Sequence, residues 1–269
     1  MTLLEPMPDA RTAWARASRP RVYALVDLDP DLARDLPPDR RQAARSRVPV
    51  RVITLARGPW PIETIRTATC GHLGVLIVAG LVARELLADD VASMELLGAG
   101  DVLRPWDESD QSELLQAVVR WSALAPARLA ILDRQLGRRL AEYPEIHSAL
   151  LKRFAERTRR LAVLQAISQL NRVDRRVLAL LWHLAERWGR VTPDGVAVPL
   201  ALSHRMLGQL VGARRPTVSS AVATLTRRGE VIRRGDGTWI LTGTPIGAPD
   251  ARISRFIAPR RITLDALAV

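Results

Sequence analysis

Residues 202–234 constrain this chain more than any other stretch. They read Leu-Ser-His-Arg-Met-Leu-Gly-Gln-Leu-Val-Gly-Ala-Arg-Arg-Pro-Thr-Val-Ser-Ser-Ala-Val-Ala-Thr-Leu, then Thr-Arg-Arg-Gly-Glu-Val-Ile-Arg-Arg. Met206, Leu207, Leu210 and Val211 recur at helical spacing. Gly208 lets a second helix cross closely, and Gly212 suits the left-handed residue that ends a helix. Val218, Ala221, Val222 and Leu225 give a second helix its buried stripe. Thr217, Ser219, Ser220 and Thr224 then face outward beside Arg214 and Arg215, and Pro216 falls in the first turn, where a missing N–H costs little. A short helix that is polar outside and basic at its start has the form of the recognition half of a helix-turn-helix.

Charge agrees with a polyanionic partner. The formal net charge is +12, and only Lys152 of the 40 basic residues is a lysine. Arginine suits bidentate contact with phosphate and with guanine edges. Between Asp174 and Ile246 eleven arginines face five acidic residues, a local excess that raises nucleic-acid affinity and makes it salt-dependent.

Other classes are narrowed by what the chain lacks. Cys70 is the single cysteine, which excludes an intrachain disulfide and argues against a cysteine-ligated iron–sulfur cluster. The longest apolar run, residues 73–82, is about half a membrane span. No basic start followed by an apolar core is visible, so a cytoplasmic protein is expected, without a membrane partner. His72, His147, His183 and His204 show no metal-ligand spacing, and no P-loop or Gly-x-Ser-x-Gly motif occurs. Asp107, Glu108 and Asp110 form an acidic loop without a companion base or nucleophile. An enzyme is not expected.

The fold class is α+β. Residues 1–46 read as a polar N-terminal extension with a short helix at 39–47. Residues 47–143 carry short β-like runs at 50–55, 73–78, 81–86 and 92–97, with turns at Arg57-Gly58-Pro59, Ala79-Gly80, Asp89-Asp90 and Gly98-Ala99-Gly100-Asp101, as in a small antiparallel roll. A further apolar run covers 114–124, and 127–140 reads as a helix. Pro144 opens a long helix over 145–170, about 39 Å at about 1.5 Å per residue. Its seam of Ile146, Leu150, Phe154, Leu161, Leu164 and Ile167 suits a two-chain interface, making residues 144–172 a dimerisation helix and hinge. Within 173–246, a helix over 174–188 with Asp174 as N-cap leads to a hairpin turning at Pro193-Asp194-Gly195. Ser203 then caps the helix-turn-helix, and residues 230–241 form a wing turning at Gly235-Asp236-Gly237. Residues 247–269 read as an irregular tail.

With these residues in place, the chain resembles bacterial regulators of the cyclic-AMP receptor (Crp/Fnr) family over about 48–243. Leu184-Ala185-Glu186-Arg187-Trp188-Gly189, Gly208-Gln209-Leu210-Val211-Gly212 and Arg214-Arg215-Pro216-Thr217-Val218-Ser219 carry the resemblance, which is strongest to the actinobacterial branch. It implies an N-terminal cyclic-nucleotide-binding-like roll, a homodimer joined through the long helix, and a C-terminal winged helix-turn-helix that binds a near-palindromic double-stranded site and regulates transcription. RNA polymerase is a further partner that the resemblance implies. The roll departs from the family where a cyclic nucleotide would be held. After Gly100-Asp101 the chain reads Val102-Leu103-Arg104-Pro105-Trp106 in place of Gly-Glu, and Leu115-Gln116-Ala117 lacks the phosphate-binding arginine. Cyclic-nucleotide binding is therefore not expected, and no cofactor is assigned. His72 and Cys70 are read as structural or surface residues rather than haem ligands.

Arg215, Thr217, Ser219 and Ser220 are the candidate base readers. Pro216 and Ser220 replace an acidic and a basic base reader of the cyclic-AMP receptors, so a different operator is expected. Ser203, His204, Arg214 and Thr224 are candidate phosphate contacts, with Arg233, Arg234 and Thr238 in the wing beside the flanking backbone. The alternative is a sensor or adaptor module whose winged domain binds protein. Arg214, Arg215, Arg227, Arg228, Arg233 and Arg234 argue against it, because protein-binding winged helices usually present apolar or acidic faces. Effector, operator sequence, target genes and the direction of regulation are not legible.

Overall fold

A computed structural model describes residues 21–62, 73–105 and 117–245. The readings at Cys70, His72, residues 106–116, residues 1–20 and the tail from 247 lie outside them. The chain divides into two compact units, and the division falls inside the long helix between Thr158 and Arg159.

The first unit is an antiparallel roll. Strands β1 (Arg21–Ala24), β2 (Pro49–Leu55), β4 (Gly74–Ala88), β5 (Val91–Gly98) and β7 (Ala117–Leu132) are ordered β1-β2-β7-β4-β5. The two-residue strands β3 (Gly58–Pro59) and β6 (Val102–Leu103) pair with β7 and β4. Two apolar clusters fill it, one around Leu76, Ala130, Leu132 and Leu136, the other around Ile77, Val82, Leu97, Leu103 and Leu129.

Three expectations for this unit are corrected. Ala79-Gly80 is not a turn: β4 runs on through it, and its register on β7 shifts between Ile77 and Val82. Such bulges bend a strand and let one long ribbon curl into a roll. Gly80 (φ +95°) is required there, because a Cβ would collide with the Pro126 carbonyl oxygen on β7. The helix expected at 127–140 is the end of β7 followed by a short α3 (Arg134–Arg139), capped by Asp133, whose carboxylate accepts from Leu136 N–H at 2.8 Å. Residues 127–132 are alanine- and leucine-rich, but they lie between β2 and β4, and sheet pairing overrides helix propensity.

The third correction concerns the extension. From Arg21 onward it belongs to the roll: β1 pairs with β2, and α1 (Leu25–Leu28) and α2 (Pro38–Arg47) follow. Leu25, Leu32, Ala33, Leu36 and Ala44 are buried in the first cluster. The boundary at 46/47 therefore does not separate two structural parts.

Helix α4 (Pro144–Ser168) matches the long helix, but the expected seam does not lie on one surface. Ile146 and Leu150 are buried in the roll's own core, and Phe154 packs against the same cluster. Leu161 is 37% exposed, Leu164 is half-buried and Ile167 is buried. Ile146, Leu150 and Phe154 are thus core residues of the first unit and not interface residues. Arg157 grips buried Glu95 of β5 through two 2.8 Å hydrogen bonds, and Arg153 reaches Asp29 at 3.1 Å. Leu151, Ala155, Thr158, Leu161, Ala162 and Gln165 are the exposed positions of α4 that recur at helical spacing.

The second unit contains α5 (Val173–Trp188), β8 (Arg190–Thr192), β9 (Gly195–Val198), α6 (His204–Val211), α7 (Arg215–Arg227), β10 (Val231–Arg233) and β11 (Trp239–Leu241). Its sheet is ordered β10-β11-β9-β8, and α5 packs on α6 and α7. Asp174 is not the N-cap of α5; Arg172 holds that position, and Asp174 lies in the first turn. The Asp174 carboxylate is buried and takes hydrogen bonds from Arg172 (2.7 and 3.1 Å) and Arg228 (3.2 Å), which ties the start of α5 to the end of α7. Burial opposes its charge, but the hydrogen bond from Arg172, a backbone hydrogen bond and both arginines hold its pKa below the usual value.

Candidate nucleic-acid interface

Two short helices and a tight turn build the site. Ser203 caps α6, its Oγ accepting from Met206 N–H at 3.2 Å. Leu207, Leu210 and Val211 are buried, so the other side of α6 carries His204 and Arg205 outward. Gly212 takes the left-handed conformation (φ 64°, ψ 48°) and ends the helix. At Gly208 a Cβ would meet the Ala213 carbonyl oxygen, so the close approach is made by the turn itself, with Val218 of α7 just beyond. Arg214 is the extended residue before α7, and Pro216 is in its first turn.

Val218, Ala221, Val222 and Leu225 are the buried residues of α7, which turns its other face out. Arg214, Arg215, Pro216, Thr217 and Ser220 are exposed there. Arg214, Arg215 and Thr217 make no side-chain hydrogen bond or ion pair with the described residues, so their polar groups are available to a ligand. Ala223 and Arg227 continue this face. Ala223 was not read as a site residue; its position three after Ser220 is the signal that could have found it.

The hydroxyls are less free than their outward spacing implies. Ser219 donates to Arg215 O at 3.1 Å, Ser220 to Pro216 O at 3.3 Å and Thr224 to Ser220 O at 3.0 Å. Exposed Ser220 can rotate away from such a local bond at small cost. Ser219 is half-buried and also bonded to His204 Nδ1 at 2.8 Å, so it couples the two helices. Burial first, then the charges of Arg233 and Arg215, keep the His204 pKa below the ordinary histidine value.

The wing arginines have partners inside the domain. Arg233 Nη2 donates to Leu202 O at 3.4 Å, and its guanidinium lies 4.9 Å from the Trp239 ring centroid. Arg234 pairs with Asp194, at the turn between β8 and β9, at 2.7 Å. Thr238 N–H donates to Asp236 Oδ1 at 2.8 Å and shapes the wing turn. Arg228 is engaged by Asp174.

A family model described as a Crp-like helix-turn-helix domain matches residues 175–242. The chain is also 32% identical over 120 residues to a CRP-like cAMP-activated global transcriptional regulator of Mycobacterium tuberculosis, a match covering 44% of this chain and 54% of that protein. Residues 175–242 are thus similar to the Crp-like helix-turn-helix domain. The chain spans about half the length of the curated relatives it matches. Among solved structures, this chain is similar to a cyclic nucleotide-binding domain containing protein from Listeria monocytogenes (TM-score 0.56, 17% identity, 71% of this chain and 88% of that one). It is also similar to a CooA mutant from Carboxydothermus hydrogenoformans (TM-score 0.55, 18% identity, 72% and 84%). These likenesses establish the fold: a β-roll joined to a winged helix-turn-helix. No described helix is long and apolar enough to cross a membrane. No group of three metal-ligating side chains occurs among the described residues.

Proposed function

We propose that this protein is a sequence-specific DNA-binding transcriptional regulator that binds a near-palindromic operator as a homodimer, with α7 in the major groove. The observation that carries the reading is the division of α7 into a buried apolar stripe and an outer face formed by Arg215, Thr217, Ser220, Ala223 and Arg227. A helix enters the major groove with such a face toward the base edges, and arginine pairs with the N7 and O6 acceptors of guanine. Arg215, Thr217 and Ser220 are the base readers on this reading. Ser203, His204, Arg214 and Thr224 position the domain on phosphates, and Arg233 and Arg234 lie toward the flanking backbone.

The dimer forms through the exposed face of α4, with Leu151, Ala155, Thr158, Leu161 and Ala162 toward a second copy. Leu151 is 59% exposed, and the small side chains after it allow close helix packing. Cyclic AMP does not govern the protein through the family's usual cassette, because Pro105 stands near the position where that cassette supplies Glu and offers no carboxylate. The test is titration of the full chain with random duplex at several salt concentrations, followed by selection of bound sequences from a random pool. Binding with a steep salt slope and enrichment of an inverted repeat are expected. No binding at low salt would overturn the reading.

A further inference from the structure

His204 opens α6 and Ser219 lies one turn into α7, and their 2.8 Å hydrogen bond bridges the two helices. Ser219 Oγ also donates to Arg215 O at 3.1 Å. A hydroxyl has one hydrogen, so with that hydrogen used Ser219 can only accept from the ring. While that hydrogen stays on the Arg215 carbonyl, Nδ1 is the ring nitrogen that carries a hydrogen, and in the neutral ring Nε2 is left as a lone pair. Nε2 has no hydrogen-bond partner among the described residues and is not buried.

This arrangement has a consequence at a polyanion. A phosphate oxygen is an acceptor, and so is a bare Nε2, so the two repel. Only the imidazolium donates from Nε2 while Nδ1–H stays on Ser219. The charged groups facing the ring are Arg215 from α7 and Arg233 from the wing, with Arg205 next to it on α6. No carboxylate among the described residues contributes to its electrostatic surroundings. Before DNA arrives the proton is therefore disfavoured; a phosphate would reverse that balance.

We propose that DNA binding takes up one proton from solvent per protomer at His204, which meets a backbone phosphate through Nε2–H only as the imidazolium, with Ser219 holding Nδ1. The proposal rests on the DNA-binding reading above. It makes the affinity of the protein for DNA a function of pH in the window between the lowered pKa of the free protein and the raised pKa of the complex. Within that window affinity rises as pH falls, because the complex binds more protons than its components.

The full chain, titrated with a fluorescent random-sequence duplex at fixed salt from about pH 8 to about pH 5.5, tests this. The dissociation constant should fall by up to about tenfold per pH unit for each histidine engaged. His204→Asn places an amide donor where Nδ1 stood, keeps the bond to Ser219 and cannot titrate, so its binding should be flat across the range. His204→Gln should be flat as well, and His183→Gln should keep the wild-type slope. The C2-proton shift of His204 in nuclear magnetic resonance should show its pKa rising on addition of the same duplex. A slope that survives in both His204 variants, or wild-type binding without a slope, would overturn the proton linkage and leave DNA binding standing. A wild-type chain that fails to bind at low salt at every pH would remove the DNA-binding reading and this proposal together.

Discussion

Arg215 and Arg233 carry the same charge in different company. Arg215 is exposed at the start of α7, whereas Arg233 lies over Trp239 and donates to Leu202 O. Arg215→Ala should cost about 1–3 kcal/mol of operator binding and relax preference at one base pair per half-site. Arg233→Ala should weaken selected and random duplex alike, and should also lower wing stability by about 0.5–1 kcal/mol through the lost cation–π contact. Titrations of both variants against both duplexes, with thermal melts, separate the two effects. Equal losses on both duplexes for Arg215→Ala would misplace the groove-reading end of α7. Asp174 gives a prediction in pH. Its folded pKa lies below the unfolded value, so its stabilisation is present above the unfolded carboxylate range and is lost as pH falls through the folded value. Asp174→Asn should cost about 1–2 kcal/mol near neutrality, with partners half-exposed, and should flatten the acid limb of the stability curve measured by urea melts.

At the scale of elements, the helix-turn-helix was legible because every position that defines it is local. The stripe Val218, Ala221, Val222 and Leu225, the cap at Ser203 and the left-handed Gly212 follow from spacing and backbone conformation alone. Gly208→Ala should destabilise the winged unit by about 1–3 kcal/mol, since the added methyl presses on the Ala213 carbonyl. A melting temperature equal to wild type would show that the turn relaxes freely. The roll was less legible for a physical reason. Ala79-Gly80 has turn chemistry and 127–132 has helix chemistry, yet each conformation is decided by the strand alongside it. Outward spacing likewise marked Ser219 as a base reader, while its bond to His204 depends on a fold that brings two helices together.

At the scale of the whole molecule, periodicity found the apolar positions of α4 but could not say which neighbour covers them. Ile146 and Leu150 are covered by the roll, whereas Leu151 and Ala155 are not. Leu151→Glu combined with Ala155→Glu should abolish the dimer in sedimentation while the roll keeps its melting temperature; Leu150→Glu should instead unfold the roll. A double variant that still sediments as a dimer would place the interface elsewhere. Calorimetry with millimolar cyclic AMP should give no heat of binding, and micromolar binding coupled to tighter operator affinity would reverse that expectation.

The four residues of β1 pair with Pro49 to Val52 of β2 along one border of the sheet. Without residues 21–47, the backbone of Pro49 to Val52 would stand unpaired on that side, beside the apolar floor that Leu25, Leu32 and Leu36 cover. An open, hydrophobic border of that kind recruits strands from other molecules. A chain shortened to begin at Val48 should therefore self-associate, with light scattering rising on concentration.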